Sequence, residues 1–139
     1  MTTTDRKPRA LLLAGDREDL SSLAAALERR GFDVVAGSDG AAGVELLLEH
    51  LLSLDVLVAD LELPGRGGAS LLELVRVAGG ERDLAFVLRC AGLSPRAGER
   101  LRALGADALV RASDAPEAVA AVAAEAVEAR VPFALAAAA

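Results

Sequence analysis

The chain alternates short apolar runs with longer segments of helical period, five times over. The apolar runs Arg9 to Ala14, Phe32 to Ala36, Asp55 to Ala59, Leu84 to Arg89 and Asp107 to Arg111 are near-continuous rather than alternating. That is the pattern of parallel strands buried on both faces. Between them, Leu20, Leu23, Ala24 and Leu27 recur at i, i+3, i+4 and i+7, the spacing of one helix face. Val44, Leu47 and Leu48 repeat the stripe, as do Leu71, Leu74 and Val75. A shorter fourth helix is marked by Ala97, Leu101 and Leu104, and a fifth by Val119, Val122, Ala123, Ala126 and Val127.

Local signals set the boundaries. Ser94-Pro95 reads as an N-cap followed by proline at the first helical position, where no N–H is needed. Asp114 with Glu117 three residues on reads as a capping box. Gly31 and Gly105 fall just past helix ends, where a left-handed residue is best supplied by glycine. Five βα units in succession predict an α/β fold, a doubly wound five-stranded parallel sheet with helices on both faces. Residues 1–8 are expected to form a flexible N-terminal tail, 9–130 the domain, and 131–139 a C-terminal tail. Val131 to Phe133 could dock on the body. Ligands of such sheets bind at the carboxyl ends of the strands, where strand order reverses. The positions to inspect are therefore Ala14-Gly15-Asp16, Asp60-Leu61-Glu62, Cys90-Ala91 and Arg111-Ala112.

Composition narrows the function classes. The 139 residues suit one domain. No apolar run approaches the roughly 20 residues that span a bilayer, and the polar N-terminus lacks a secretory signal. A cytoplasmic protein with no membrane partner is expected. The formal net charge is −6 and the only aromatics are Phe32, Phe86 and Phe133. An acidic surface repels phosphate backbones, so no nucleic-acid partner is expected. With one cysteine, Cys90, and one histidine, His50, the chain can build neither an internal disulfide nor a Ser-His or Cys-His pair on facing loops. His50 reads as an exposed residue near a helix end. No phosphate-binding GxxxxGK loop is present, and Gly37 to Gly43 does not match GxGxxG. A cobalamin-binding domain of similar fold would want a histidine after the first strand, and none is there.

The segment Val58-Ala59-Asp60-Leu61-Glu62-Leu63-Pro64-Gly65-Arg66-Gly67-Gly68 resembles the phosphoacceptor signature of response-regulator receiver domains, the CheY-like family. Ser38-Asp39-Gly40 with Ala42-Gly43 resembles the start of that family's second helix, and Leu104-Gly105-Ala106-Asp107 the approach to its fifth strand. The resemblance covers roughly residues 9–130. It implies a flavodoxin-like strand order 2-1-3-4-5 and a place in two-component phosphorelay signal transduction. Asp60 is then the phosphoacceptor-equivalent position.

The family's site also needs two acids after the first strand to hold Mg²⁺, a hydroxyl after the fourth and a lysine after the fifth, because phosphoryl transfer brings anion onto anion. Here Ala14 and Gly15 stand where the acids belong, with Asp16 one place late. Cys90 takes the hydroxyl position, and the only lysine is Lys7. The lysine position falls on Ala112 by strict spacing, or on Arg111 if one residue is deleted. Leu109 stands where many relatives keep an aromatic switch residue. Asp16 and Glu62 are the remaining candidate metal ligands. No resident cofactor is expected, and Mg²⁺ binding is expected to be weak. These departures favour a non-enzymatic pseudo-receiver that acts as a protein–protein interaction or dimerisation module. Its expected partner is a signalling protein or histidine kinase, or a second copy in a homodimer through helices 4 and 5. The alternative is a phospho-switch in which a histidine kinase phosphorylates Asp60.

Overall fold

The computed structural model describes residues 7–78 and 84–130. Within them the order is β1 (Arg9–Leu13), α1 (Arg17–Arg29), β2 (Asp33–Gly37), α2 (Gly40–His50), β3 (Val56–Asp60), α3 (Gly68–Ala78), β4 (Ala85–Cys90), α4 (Pro95–Ala103), β5 (Ala108–Arg111) and α5 (Pro116–Ala129). The strands form one parallel sheet in the order β2-β1-β3-β4-β5. This is the architecture expected from the sequence, with strand boundaries shifted by about one residue. The C-terminal tail, with Val131 to Phe133, and most of the N-terminal one lie outside the described residues.

The central strands are apolar on both sides because both sides are covered. Ala10, Leu12, Val56, Val58, Ala85 and Val87 pack with Leu23, Leu27 and Phe32 and with Val119, Ala120 and Ala123 of α5. The opposite face, Leu11, Leu13, Leu57, Ala59, Phe86, Leu88 and Cys90, packs with Leu47 of α2, Leu71, Leu72 and Val75 of α3, and Leu101 of α4. Successive residues of a strand point to opposite faces, so parity decides which layer each side chain joins.

Most helix signals hold. Asp16, Asp39 and Ser94 each accept a hydrogen bond from the backbone N–H three residues on, capping α1, α2 and α4. Gly31 and Gly105 have φ of 99° and 116°. The capping box at α5 does not form. Its N-cap is Ala115, which has no side-chain bond. The Asp114 carboxylate instead accepts from the Arg111 N–H at 2.9 Å, closing a turn, and Glu117 pairs with Arg29 of α1. Pro116 at the first helical position moves the cap one residue past Asp114. Leu48 also departs from its stripe: it is exposed, while Leu47 beside it is buried. His50 is half-buried rather than exposed, with Nδ1 3.3 Å from Arg9 Nη1 and Nε2 3.2 Å from Glu49. No helix among the described residues is long and apolar enough to cross a membrane.

Candidate functional site

Asp60 ends β3 at the carboxyl edge of the sheet. It has the parity of Val56 and Val58, so its side chain belongs to the α1–α5 side. Its register partner on β4 is Arg89, which shares that parity with Ala85 and Val87. Neighbours in register on one face of a sheet meet, and these do. Arg89 Nη1 donates to Asp60 Oδ1 at 2.6 Å. Arg89 Nη2 donates to Asp19 Oδ2 on the first turns of α1, also at 2.6 Å, and makes a longer 3.4 Å bond to the Ala112 carbonyl. The other Asp60 oxygen, Oδ2, accepts from the Gly15 N–H at 3.1 Å. Both oxygens of Asp60 are therefore engaged.

The chain around Asp60 is held closely. Leu61 donates its N–H to the Arg89 carbonyl at 2.8 Å, and the Leu61 carbonyl accepts from Gly68 at 2.8 Å. A Cβ at Gly68 would lie 2.6 Å from the Asp60 carbonyl, so the return into α3 admits only glycine there without a shift of backbone.

The electrostatics follow from burial. Arg89 is the one charged residue among those buried in the described structure, at 8 % exposure. A buried charge requires partners, and a planar fork can serve two carboxylates at once. Burial pulls the guanidinium's pKa down, but the hydrogen bonds it donates to Asp19 and Asp60, with the charges of those carboxylates, outweigh it and leave the pKa raised. Asp60 is 16 % exposed and Asp19 46 %. Burial, and then the nearby charge of Asp60, push the Cys90 thiol up.

A cavity of about 180 Å³ opens over this cluster, lined by Asp19, Asp60, Leu61, Glu62, Arg89, Ala91 and Ala112. It brings together two of the positions read from the sequence, Asp60 and Glu62, with Ala112 at the lysine position given by strict spacing. It does not gather the others. Asp16 uses its side chain to cap α1 at the Asp19 N–H, 3.0 Å away. Cys90, one residue beyond Arg89, has the opposite parity and packs into the α3–α4 layer. Arg111 is exposed; with Cys90 and Leu109 it lines a separate cavity beside Leu93. The cation that reaches Asp60 is thus Arg89 and not Arg111. The sequence reading missed Arg89 and Asp19. The available signal was a charged residue inside an otherwise wholly apolar run, Ala85-Phe86-Val87-Leu88-Arg89-Cys90. Such a residue must find partners when the strand is buried.

The residues present do not suit a divalent cation of the kind receiver sites hold. Ala14 is fully buried and Gly15 offers an N–H rather than a carboxylate. Asp19 and Asp60 are bridged by a guanidinium. Among the described residues, no group of three or more His, Cys, Asp or Glu is placed to hold a metal ion.

No protein-family profile matches the chain. Over 79 residues it is 33 % identical to the transcriptional regulatory protein DltR of two Streptococcus agalactiae strains. The match covers 57 % of this chain and 34 % of the relative, so the chain spans about a third of the length of the curated relatives it matches. Solved structures of similar fold include the signal receiver domain of the putative response regulator NarL from Mycobacterium tuberculosis, with TM-score 0.79 and 23 % identity over 88 % of this chain and 98 % of that one. The receiver domain of a putative Luxo repressor protein from Vibrio parahaemolyticus gives TM-score 0.81 and 14 % identity over 90 % and 93 %. A CheY-like receiver domain protein from Methanospirillum hungatei gives 0.76 and 21 % over 90 % and 97 %. At these identities the structural likeness speaks for fold. With the strand order 2-1-3-4-5 and the DltR match, the chain has the fold of a response-regulator receiver domain of the CheY-like kind.

Proposed function

We propose that this chain is a receiver domain of a two-component system that works as a protein–protein interaction module without accepting a phosphoryl group. One observation carries the reading: both oxygens of Asp60 already face donors, Arg89 Nη1 at 2.6 Å and the Gly15 N–H at 3.1 Å. A carboxylate so held is a poor nucleophile, because attack on phosphorus must first break a charge-assisted bond in a largely buried site. The test is a titration with acetyl phosphate or beryllofluoride, with and without Mg²⁺, followed by NMR and intact mass. The expected result is no phosphoryl adduct and unchanged amide shifts at Asp60. An adduct abolished by Asp60→Asn would overturn the reading.

The partner is a signalling protein such as a histidine kinase, or a second copy of the chain. The surface is the face of α4, β5 and α5, where Arg96, Arg100, Arg102 and Arg111 are exposed among acids such as Glu99 and Glu125. Arginines of this kind pair bidentately with carboxylates across interfaces.

The phospho-switch reading keeps one observation in its favour: Asp60 still lines an open cavity at the strand ends, with Glu62 beside it.

A further inference from the structure

We infer that Arg89 is a built-in cation that stands in for a divalent metal ion at Asp60, and that it makes this pocket insensitive to divalent cations. The inference rests on the reading of the chain as a receiver domain in which Asp60 is the phosphoacceptor-equivalent position.

Three observations converge on it. The first is placement. Arg89 lies on the strand next to Asp60, in register with it, and its fork spans from Asp60 on β3 to Asp19 on α1. It ties together two elements, as an ion held between their carboxylates would. The second is permanence. A guanidinium keeps its charge at any pH a protein survives, and this one is buried within the sheet. The third is exclusion. A magnesium or calcium ion needs about six or more oxygen ligands. Here the two innermost carboxylates already serve Arg89, and Gly15 presents an N–H to Asp60. An incoming cation would meet a fixed positive charge and a backbone donor where it needs oxygens.

The consequence is specific. Arg89→Met keeps an unbranched apolar stem and removes the guanidinium, leaving Asp19, Asp60 and Glu62 to line the cavity without a cation. A divalent cation should then bind where none binds in the parent.

The probe is Mn²⁺, read as paramagnetic broadening of backbone amides in the full chain. In the parent, millimolar Mn²⁺ should leave the amides of Gly15, Asp60, Glu62 and Ala91 no more broadened than the rest of the surface. In Arg89→Met these amides should broaden first, at Mn²⁺ concentrations lower by about tenfold or more, and adding Asp19→Asn should reverse most of the gain. Localised broadening of the parent at submillimolar Mn²⁺ would overturn the inference. So would a folded Arg89→Met protein that responds no differently from the parent. If Arg89→Met is unfolded in EDTA, recovery of its circular dichroism with millimolar Mn²⁺ or Mg²⁺ supports the inference, and failure to recover with either overturns it. The proposed function fails separately. Acetyl-phosphate labelling of the parent at Asp60 in EDTA would overturn phosphate independence and leave Arg89 as the working cation, whereas labelling that requires Mg²⁺ would overturn both.

Discussion

Arg89 joins the stability of the fold to the state of its site. Truncating one member of a buried charge network leaves the others desolvated and unpaired, which typically costs about 3–5 kcal/mol. Arg89→Ala strands Asp60, 16 % exposed, at the sheet edge, and urea denaturation should show a loss in that range. Asp19 is nearly half exposed and lies at the rim, so Asp19→Asn should lower stability by less than about 1 kcal/mol. Equal losses from the two substitutions would mean that the Asp19 contact, and not the stranding of Asp60, sets the energy. Cys90 gives a second check. Its thiol is buried in the α3–α4 layer and its pKa is raised by burial, with the charge of Asp60 adding. A proton held more tightly in the folded than in the unfolded chain contributes stability that is complete below the unfolded thiol pKa. That contribution is lost as pH rises through the folded one. Alkylation of Cys90 near neutral pH should therefore be slow in native protein and fast in denaturant. Rapid native alkylation would place the thiol at the surface.

Among the elements, α5 shows where local chemistry was left incomplete. α1, α2 and α4 each begin with a side-chain oxygen accepting a backbone N–H, but α5 begins at Ala115 with none. Ala115 has the extended backbone that an N-cap requires, with φ −61° and ψ 145°. Ala115→Ser should therefore stabilise the protein by about 1 kcal/mol, and Asp39→Ala should destabilise it by a similar amount. Thermal melts of the two variants should move in opposite directions. The alanines of α5 do a different job from the one their number suggests. Ala120, Ala123 and Ala126 are buried in the layer that α5 shares with α1, with Leu23, Ala26 and Leu27. Close helix packing by these three alanines is thus already used inside the domain.

For the molecule as a whole, the proposed contact face can be tested without reference to phosphate. Two acids that the sequence places near it are taken up internally: Asp107 by Arg76, Arg130 and the Phe86 N–H, and Glu117 by Arg29. Arg100 and Arg111 are exposed. If the domain pairs with itself through this face, ultracentrifugation should show an association weakened by Arg100→Glu or Arg111→Glu and unchanged by Asp60→Asn. A strict monomer at high concentration would leave only a different partner. Loss of partner binding on Asp60→Asn would return the domain to a phospho-switch.

The sequence by itself determined the fold class and most element boundaries. Strand burial, helix stripes, the Asp16, Asp39 and Ser94 caps and the glycine stops are encoded within a few residues of one another, and they agree. It also placed Asp60 at a strand end, because the loop from Asp60 through Pro64 to Gly68 is a contiguous pattern. It could not decide what meets Asp60. Arg89 and Asp19 lie 29 and 70 residues from their partners, Asp60 and Arg89 respectively. Strand parity then assigns Arg89 to the pocket and Cys90, its neighbour, to the opposite core layer. Local sequence cannot fix that choice, since a shift of one residue in register reverses it. Only pairing β3 with β4, and packing α1 over them, brings the guanidinium between the two carboxylates.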